Sequence, residues 1–247
     1  MSEVPSIRLY VDAALAEGAV IECDRAQANY LLNVLRLNEG REIALFNGRD
    51  GEWRARVERQ GRKSALLSLV AQLRPQEAGP DLHYLFAPLK KARLDYMVQK
   101  AVELGASRLT PVLTEYCQVE RVNLERMRAN AIEAAEQCGL ISLPLIDSPV
   151  KLVDLIGEWD KNRSLVFCNE KHEISGPVAD LEGLQGGKMA VLIGPEGGFS
   201  PQEALLLQSQ EFVTSISLGP RIMRADTAAV AALSLVNAVL GDWRPAD

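Results

Sequence analysis

From residue 7 to residue 71 the apolar positions come in short bursts separated by turns. Ile43, Ala44, Leu45 and Phe46 form one run that stops at Asn47-Gly48. Trp53, Ala55 and Val57 then alternate with Arg54, Arg56 and Glu58, and Leu66, Leu67, Leu69 and Val70 follow. A period of two describes a strand with one wet face, and Asn47-Gly48 and Asp50-Gly51 are hairpin-type turns because Asn and Gly tolerate positive φ. One stretch, Arg25 to Leu37, has helical spacing instead, with Ala28, Leu31, Leu32 and Leu35 on one side. The pattern predicts a small β-barrel with one helix over residues 1–72. The segment LRPQEAGPD, rich in Pro, Gly and charge, marks a linker at 73–81.

Beyond the linker, strands and helices alternate. His83–Ala87 reads as a strand and residues 90–104 as a helix, its stripe made of Leu94, Met97, Val98, Ala101 and Val102. Gly105 stands where a helix C-cap is expected. Leu109–Leu113 is a second strand. Asn123 is placed to cap a helix running to Gln137, with Gly139 just past its end. Leu165–Cys168, Met189–Ile193 and Val213–Leu218 are buried-strand runs. Ser200-Pro201-Gln202-Glu203 is a capping box with proline at the first helical position. A last Ala/Val/Leu-rich helix is expected from Thr227 to Leu240. This order predicts an α/β domain over residues 82–247, a mostly parallel sheet covered by helices.

Composition narrows the function classes. The chain has 247 residues, 47% apolar and 24% charged, ordinary for a soluble globular protein. No apolar run reaches membrane-spanning length, and MSEVPSIRLY lacks the apolar core of a secretory signal, so the expectation is a cytoplasmic protein with no membrane partner. Cys23, Cys117, Cys138 and Cys168 lie far apart with no CxxC pair, which fits a reducing compartment. With two histidines, His83 and His172, a metal site is not expected. The net charge of −6 sits awkwardly with nucleic-acid binding, but the excess acid is all C-terminal. Residues 1–70 carry ten Lys/Arg against ten Asp/Glu, and 49–63 and 90–100 are locally positive. Such runs are also what an ordinary solvated face looks like.

Two segments near the end point to chemistry, LIGPEGGFS at 192–200 and SLGPRIMRADTAAVAAL at 217–233. Each begins as a buried strand, breaks at glycine and resumes as a helix. Gly194, Gly197 and Gly198 let the chain turn sharply at a strand end and bring backbone N–H and C=O groups close to a ligand. The spacing matches neither GxGxxG nor a phosphate-binding GxxxxGK[ST]. In the second segment Gly219-Pro220 stops a strand, and Asp226 or Thr227 is placed to cap the helix that follows. Arg221 and Arg224, three apart, are candidates for the mouth of a pocket. Either segment alone is equally a tight structural turn with exposed loop charges; the tandem is the specific signal.

Together these segments resemble the knotted methyltransferases called the SPOUT class, and within it the bacterial 16S ribosomal RNA uracil N3-methyltransferases. The resemblance extends to Lys91 and Arg93, to QKAVELGASRLTPVLTEYC at 99–117, to IEAAEQCG at 132–139, and to VLRL at 34–37 and FNG at 46–48 in the N-terminal part. Leu140 stands where the family commonly has Arg, Tyr30 lies in the region where a His is frequent, and Arg224-Ala225-Asp226-Thr227 replaces the commoner R-x-E-T.

The resemblance implies a C-terminal domain with a trefoil knot around S-adenosylmethionine, a PUA-like RNA-binding barrel before it, and a homodimer sharing the RNA site. It implies methylation of N3 of a uridine in 16S rRNA within the assembled small ribosomal subunit, with no metal. The implied cofactor contacts are Leu192, Ile193, Gly194, Glu196, Gly197, Gly198, Leu218, Gly219, Ile222, Met223 and Thr227. Arg221 and Arg224 are the catalytic candidates; Arg36, Arg54, Arg56, Lys91 and Arg93 are the RNA-backbone candidates. A knotted ribose 2′-O-methyltransferase and a non-catalytic RNA-binding assembly factor are the competing readings.

Overall fold

The computed structural model describes residues 5–61, 63–119, 121–170, 176–184 and 186–244. It forms two compact units. One reaches to Ala78 and takes in Ala135–Leu143; the other holds Gly79–Ala134 and the chain from Pro144 on.

The first unit is built from β1 (Arg8–Tyr10), β2 (Val20–Glu22), α1 (Arg25–Asn29), β3 (Glu42–Phe46), β4 (Glu52–Arg59) and β5 (Ala65–Arg74). The sheet order is β1-β3-β4-β5-β2, with β1 parallel to β3 and the other pairs antiparallel. Leu9 and Ile21, from the two outer strands, bury in the same core as Leu45, Val57 and Leu67, so the sheet wraps a single interior. Register shifts in β4 at Glu52/Trp53 and Arg54/Ala55 supply the bend.

The helix expected over Arg25 to Leu37 is shorter and changes type. Asp24 and Gln27 form a capping box at the start of α1, which widens at Tyr30–Val34 into a π-helical turn. Leu31 and Leu32 are both buried there, at 0% and 3% exposure. Arg36 ends the turn by taking φ 53°, and Leu37 N–H closes it on the Leu31 carbonyl at 3.0 Å. A non-glycine residue in this left-handed region is uncommon.

The second unit runs β6 (Leu82–Phe86), α2 (Lys91–Glu103), β7 (Arg108–Leu113), α3 (Leu124–Cys138), β8 (Leu145–Ile146), β9 (Val150–Lys151), α4 (Leu152–Gly157), β10 (Ser164–Cys168), α5 (Pro177–Glu182), β11 (Met189–Ile193), α6 (Pro201–Gln208), β12 (Val213–Ile216) and α7 (Ala225–Val239). Among the described residues the sheet order is β12-β10-β11-β6-β7-β8, with β9 also on β7, and every pair is parallel. The central β6 and β11 are buried along their whole length, as strands covered on both faces must be. Leu85, Phe167, Ala190 and Leu192 pack under α4 and α6 with Ile156 and Leu207. On α2 the expected stripe of Leu94, Met97, Val98, Ala101 and Val102 is buried, and Met97 accepts the Tyr84 hydroxyl at 2.9 Å. From the edge strand β12 the chain returns inward, so that α7 touches α2, α5 and β11.

A buried carboxylate organises one end of the first unit. Glu52, at the β4 bulge, is fully buried and pairs with Arg8 at 2.7 Å and Arg74 at 2.8 Å. Arg8 also donates to the carbonyls of Ala135 (2.6 Å), Glu136 (3.2 Å) and Leu140 (2.7 Å), and Arg74 to that of Gly139 (2.9 Å). These are carbonyls at the end of α3, which lack helical partners and suit cations. The Glu136 carboxylate accepts Tyr10 N–H at 2.9 Å. The EAAEQ run therefore has a structural use, and at position 140 it is the backbone carbonyl that is engaged.

Candidate active site

Strands β10, β11 and β12 lie parallel, with Phe167 opposite Leu192 and Cys168 opposite Ile216, so their carboxyl ends open on the same side. The loops that leave them, with the first turns of α6 and α7, line a cleft of about 580 Å³. Crevices at the carboxyl ends of parallel strands are the usual ligand sites of such sheets, and this volume lies within the range of small-molecule pockets.

Local sequence explains the shape. At Gly194 an added Cβ would stand 2.4 Å from the Phe199 ring, so only glycine lets the loop fold under that ring. Phe199 in turn packs edge-on against Phe167 at 4.9 Å. Gly198 has φ 69°, and a Cβ there would come 2.8 Å from Glu170 Oε1. The bare glycine thus leaves room for the Glu170 carboxylate at the cleft wall. Ser200 closes the loop as the cap of α6: its hydroxyl accepts Glu203 N–H at 3.3 Å, and the Glu203 carboxylate accepts Ser200 N–H at 2.9 Å. The other Glu203 oxygen accepts Glu115 N–H at 2.8 Å, tying the loop exit to the segment after β7.

In the second loop the structure corrects the expected helix start. α7 begins at Ala225, and its N-cap position is Arg224, which provides no side-chain cap. Asp226 lies inside the first turn, where its carboxylate accepts Thr227 N–H at 2.9 Å and its charge suits the positive end of the helix. Capping from Asp226 or Thr227 fails because the chain already enters helical geometry one residue after Arg224. Among the described residues the cleft walls carry two carboxylates, Glu170 and Glu196, and one guanidinium, Arg221. Cys168 also lines it, but burial pushes its thiol up to about 12, so it is a neutral group there.

This geometry has known counterparts. Residues 76–237 match the family model of the RNA methyltransferase domain, and residues 24–70 match that of the RNA methyltransferase PUA domain. The chain belongs to this RNA methyltransferase family. It is 32% identical over 232 residues to the ribosomal RNA small subunit methyltransferase E of Rickettsia conorii, covering 93% of this chain and 94% of that one. A methyltransferase from Legionella pneumophila, solved in complex with the bound cofactor SAM, superposes with a TM-score of 0.81 at 30% identity, over 95% of this chain and 98% of that one. The ribosomal RNA small subunit methyltransferase E from Neisseria gonorrhoeae shares the fold, with a TM-score of 0.85 at 24% identity over 98% of this chain and 100% of that one.

In this methyltransferase, Ile193, Gly194, Glu196, Gly198, Leu218, Gly219, Arg221, Ile222 and Met223 line the cleft together. Four expected residues stand off its lining. Leu192 is fully buried in β11 behind Ile193; Gly197 turns toward Tyr116, whose Cβ an added methyl would meet at 3.4 Å. Arg224 and Thr227 are exposed around the start of α7. The sequence reading missed the third wall, Cys168 at the end of β10 with Asn169 and Glu170 after it, together with Phe199 and Ser217. The end of β10 was itself legible as a strand terminus, and the carboxyl-end rule applied to all three strands would have reached them.

The RNA candidates fall in both units. In the first, Arg54 and Arg56 reach the two oxygens of Glu42, each at 3.4 Å, and Arg36 is exposed on its left-handed turn. In the second, Lys91 and Arg93 open α2, and Arg93 donates to Glu196 at 3.1 Å. No helix among the described residues is long and apolar enough to cross a membrane.

Proposed function

We propose that this enzyme transfers a methyl group from S-adenosylmethionine to N3 of a uridine in the 16S rRNA of the small ribosomal subunit, acting in the cytoplasm as a homodimer. The observation that carries the reading is the cleft itself, built from both glycine-broken loops, in a chain whose family is that of RNA methyltransferases.

The residues present fit the donor. Its sulfonium and amino groups are cationic and the cleft presents the carboxylates of Glu170 and Glu196. Ile193, Ile222 and Met223 offer apolar surface to an adenine, while the backbone at Gly194, Leu218 and Gly219 offers hydrogen bonds to its edge. When bound, S-adenosylmethionine supplies an electrophilic methyl group on sulfur. The protein's share is to free the N3 lone pair and hold it in line. Orientation of this kind is worth roughly 7–11 kcal/mol in good cases. Arg221 is placed on the cleft wall to stabilise the negative charge that spreads onto O2 and O4 as the N3 proton leaves. Arg224, exposed three residues further on, is suited to a flanking phosphate, and a nearby carboxylate such as Asp226 is available to take the N3 proton.

Arg36, Arg54, Arg56, Lys91 and Arg93 hold the RNA backbone in this reading. Charge reversal at Arg54 and Arg56 should weaken RNA binding and flatten its salt dependence. Return of α7 from the edge strand to β11 is compatible with a threaded C-terminal segment, the knot that the resemblance implies. The decisive experiment is transfer of labelled methyl from S-adenosylmethionine to small subunits lacking the modification, followed by nucleoside analysis. Label in 3-methyluridine is the expected outcome; label in a 2′-O-methylated nucleoside would reassign the target atom.

A further inference from the structure

A second cleft, of about 660 Å³, adjoins the first at Glu196. Its walls include three cations, Lys90, Lys91 and Arg93, with Leu89 and Gln118 beside them. Among the described residues Glu196 is the one common to the linings of both clefts. Among the described residues it is also the carboxylate of the second cleft, held on Arg93 at 3.1 Å with the Arg93 and Glu196 side chains 40% and 44% exposed.

An ion pair that open to solvent is weak and easily exchanged. A phosphodiester presents a guanidinium with two oxygens that match its planar fork, and so competes well for the same donor. Lys90 and Lys91 add charge of the sign that draws a phosphate in. The backbone around Glu196 is fixed by a turn in which Gly198 N–H donates to the Pro195 carbonyl at 2.9 Å, so releasing Arg93 requires only side-chain rotation. The carboxylate so released faces the first cleft.

We propose that the second cleft binds a phosphate of the RNA next to the target nucleotide, and that Glu196 is the positioning residue that couples its occupancy to cofactor affinity. With the cleft empty, Glu196 neutralises Arg93. With a phosphate on Arg93, Glu196 turns to the first cleft and favours the cationic donor. Linkage makes the effect reciprocal: a bound donor draws Glu196 away and uncovers Arg93 for RNA. The proposal rests on the reading of the first cleft as the S-adenosylmethionine site.

The test is calorimetric titration of the full chain with S-adenosylmethionine, alone, with a short oligouridylate, and with inorganic phosphate. In the native chain the oligouridylate should tighten donor binding by about 5-fold or more, the lower range of common coupling factors. Arg93→Ala should tighten donor binding without any RNA, because Glu196 is already released, and the oligouridylate should add nothing further. Glu196→Gln should bring the ratio of affinities with and without oligouridylate to one. Inorganic phosphate alone reproducing the effect would support a site that reads phosphate itself; an effect confined to the oligouridylate would support one that needs the adjoining nucleoside. Unchanged donor affinity in Arg93→Ala, or a ratio that survives in Glu196→Gln, would overturn the coupling. Absence of donor binding by the native chain would instead bring down the cofactor reading, and this proposal with it.

Discussion

The two ends of the parallel sheet are made from the same strands and finished in opposite ways. At the carboxyl ends of β10, β11 and β12, glycine turns hold backbone and carboxylates around an open cleft. At the other end, side chains answer one another and fill the space. His83 in β6 meets Thr110 in β7 at 2.7 Å, and Thr110 donates a short hydrogen bond to Asp147. Since that bond uses the only threonine proton, His83 Nε2 must be the donor to Thr110. Arg108 binds Asp147 at 2.7 Å, and Arg163 and Lys188 pair with Asp81 and Asp160 at 2.7 and 3.1 Å. Trp159 stacks on His83 at 6.1 Å and on Phe212 at 5.9 Å. A cluster of His, Thr and Asp suggests chemistry, yet His83 and Thr110 are buried, Trp159 stacks on the imidazole, and the half-buried Asp147 is already paired with Arg108. Polar groups that satisfy one another stabilise; polar groups arranged around a void act.

That contrast can be broken from either side. The largest effect is expected at the open end: Arg221→Ala should slow methyl transfer by about 100- to 1000-fold, or roughly 2.7–4 kcal/mol, as loss of one charge-stabilising donor does elsewhere. Donor affinity, read by titration, should change far less. Arg224→Ala is expected to impair transfer while donor binding is largely kept, and equal loss of both would make Arg224 a structural residue. At the closed end the probe is acid. Burial and the charges of Arg108 and Arg163 push His83 down to about 4 from 6.5. Folding therefore favours the neutral imidazole, and stability is full above pH 6.5 and falls as pH drops toward 4. The loss is on the order of 3 kcal/mol. Thermal melts across that window should show it, and His83→Gln should flatten the slope. Asp147 titrates below this window: burial alone would raise it, but hydrogen bonds from Arg108 and Thr110 hold its carboxyl under the usual range.

Smaller effects sharpen the comparison. Gly194→Ala forces its methyl into the Phe199 ring, with an expected cost of about 1–3 kcal/mol and a clear loss of donor affinity. Ser200→Ala removes only the cap of α6 and should cost about 1 kcal/mol, a shift of about 2–4 °C in melting temperature.

Elements governed by local rules could be read from the sequence alone. The stripe of α2, the Asn123 cap of α3, with Asn123 Oδ1 accepting Arg126 N–H at 2.9 Å, and the Ser200 capping box all follow from neighbours a few residues apart. So do the two glycine breaks, because a strand that stops at glycine and restarts as a helix is itself a local pattern. What escaped depends on distant partners. Glu52 sits one residue before an alternating wet face, and nothing nearby says that Arg8 and Arg74 will bury it. Glu170 is an exposed loop charge, and its place at the cleft shows only once Gly198, far along the chain, is seen to leave room for it. Asp226 was a fair cap candidate by residue type, but the helix began before it.

The clamp of Arg8, Glu52 and Arg74 on the carbonyls of residues 135–140 bears on modularity. The first unit is closed by a piece of chain that arrives only after β6, α2, β7 and most of α3 have been made. Cut out as residues 1–78, it would keep Glu52 with its two guanidiniums, whose carbonyl partners had gone with the other fragment. A unit of that kind cannot be shuffled between proteins as a cassette, nor can it finish folding on the ribosome before the larger part of its neighbour has emerged. Synthesis of the first unit is thereby tied to nine residues that lie far along the chain from the rest of it.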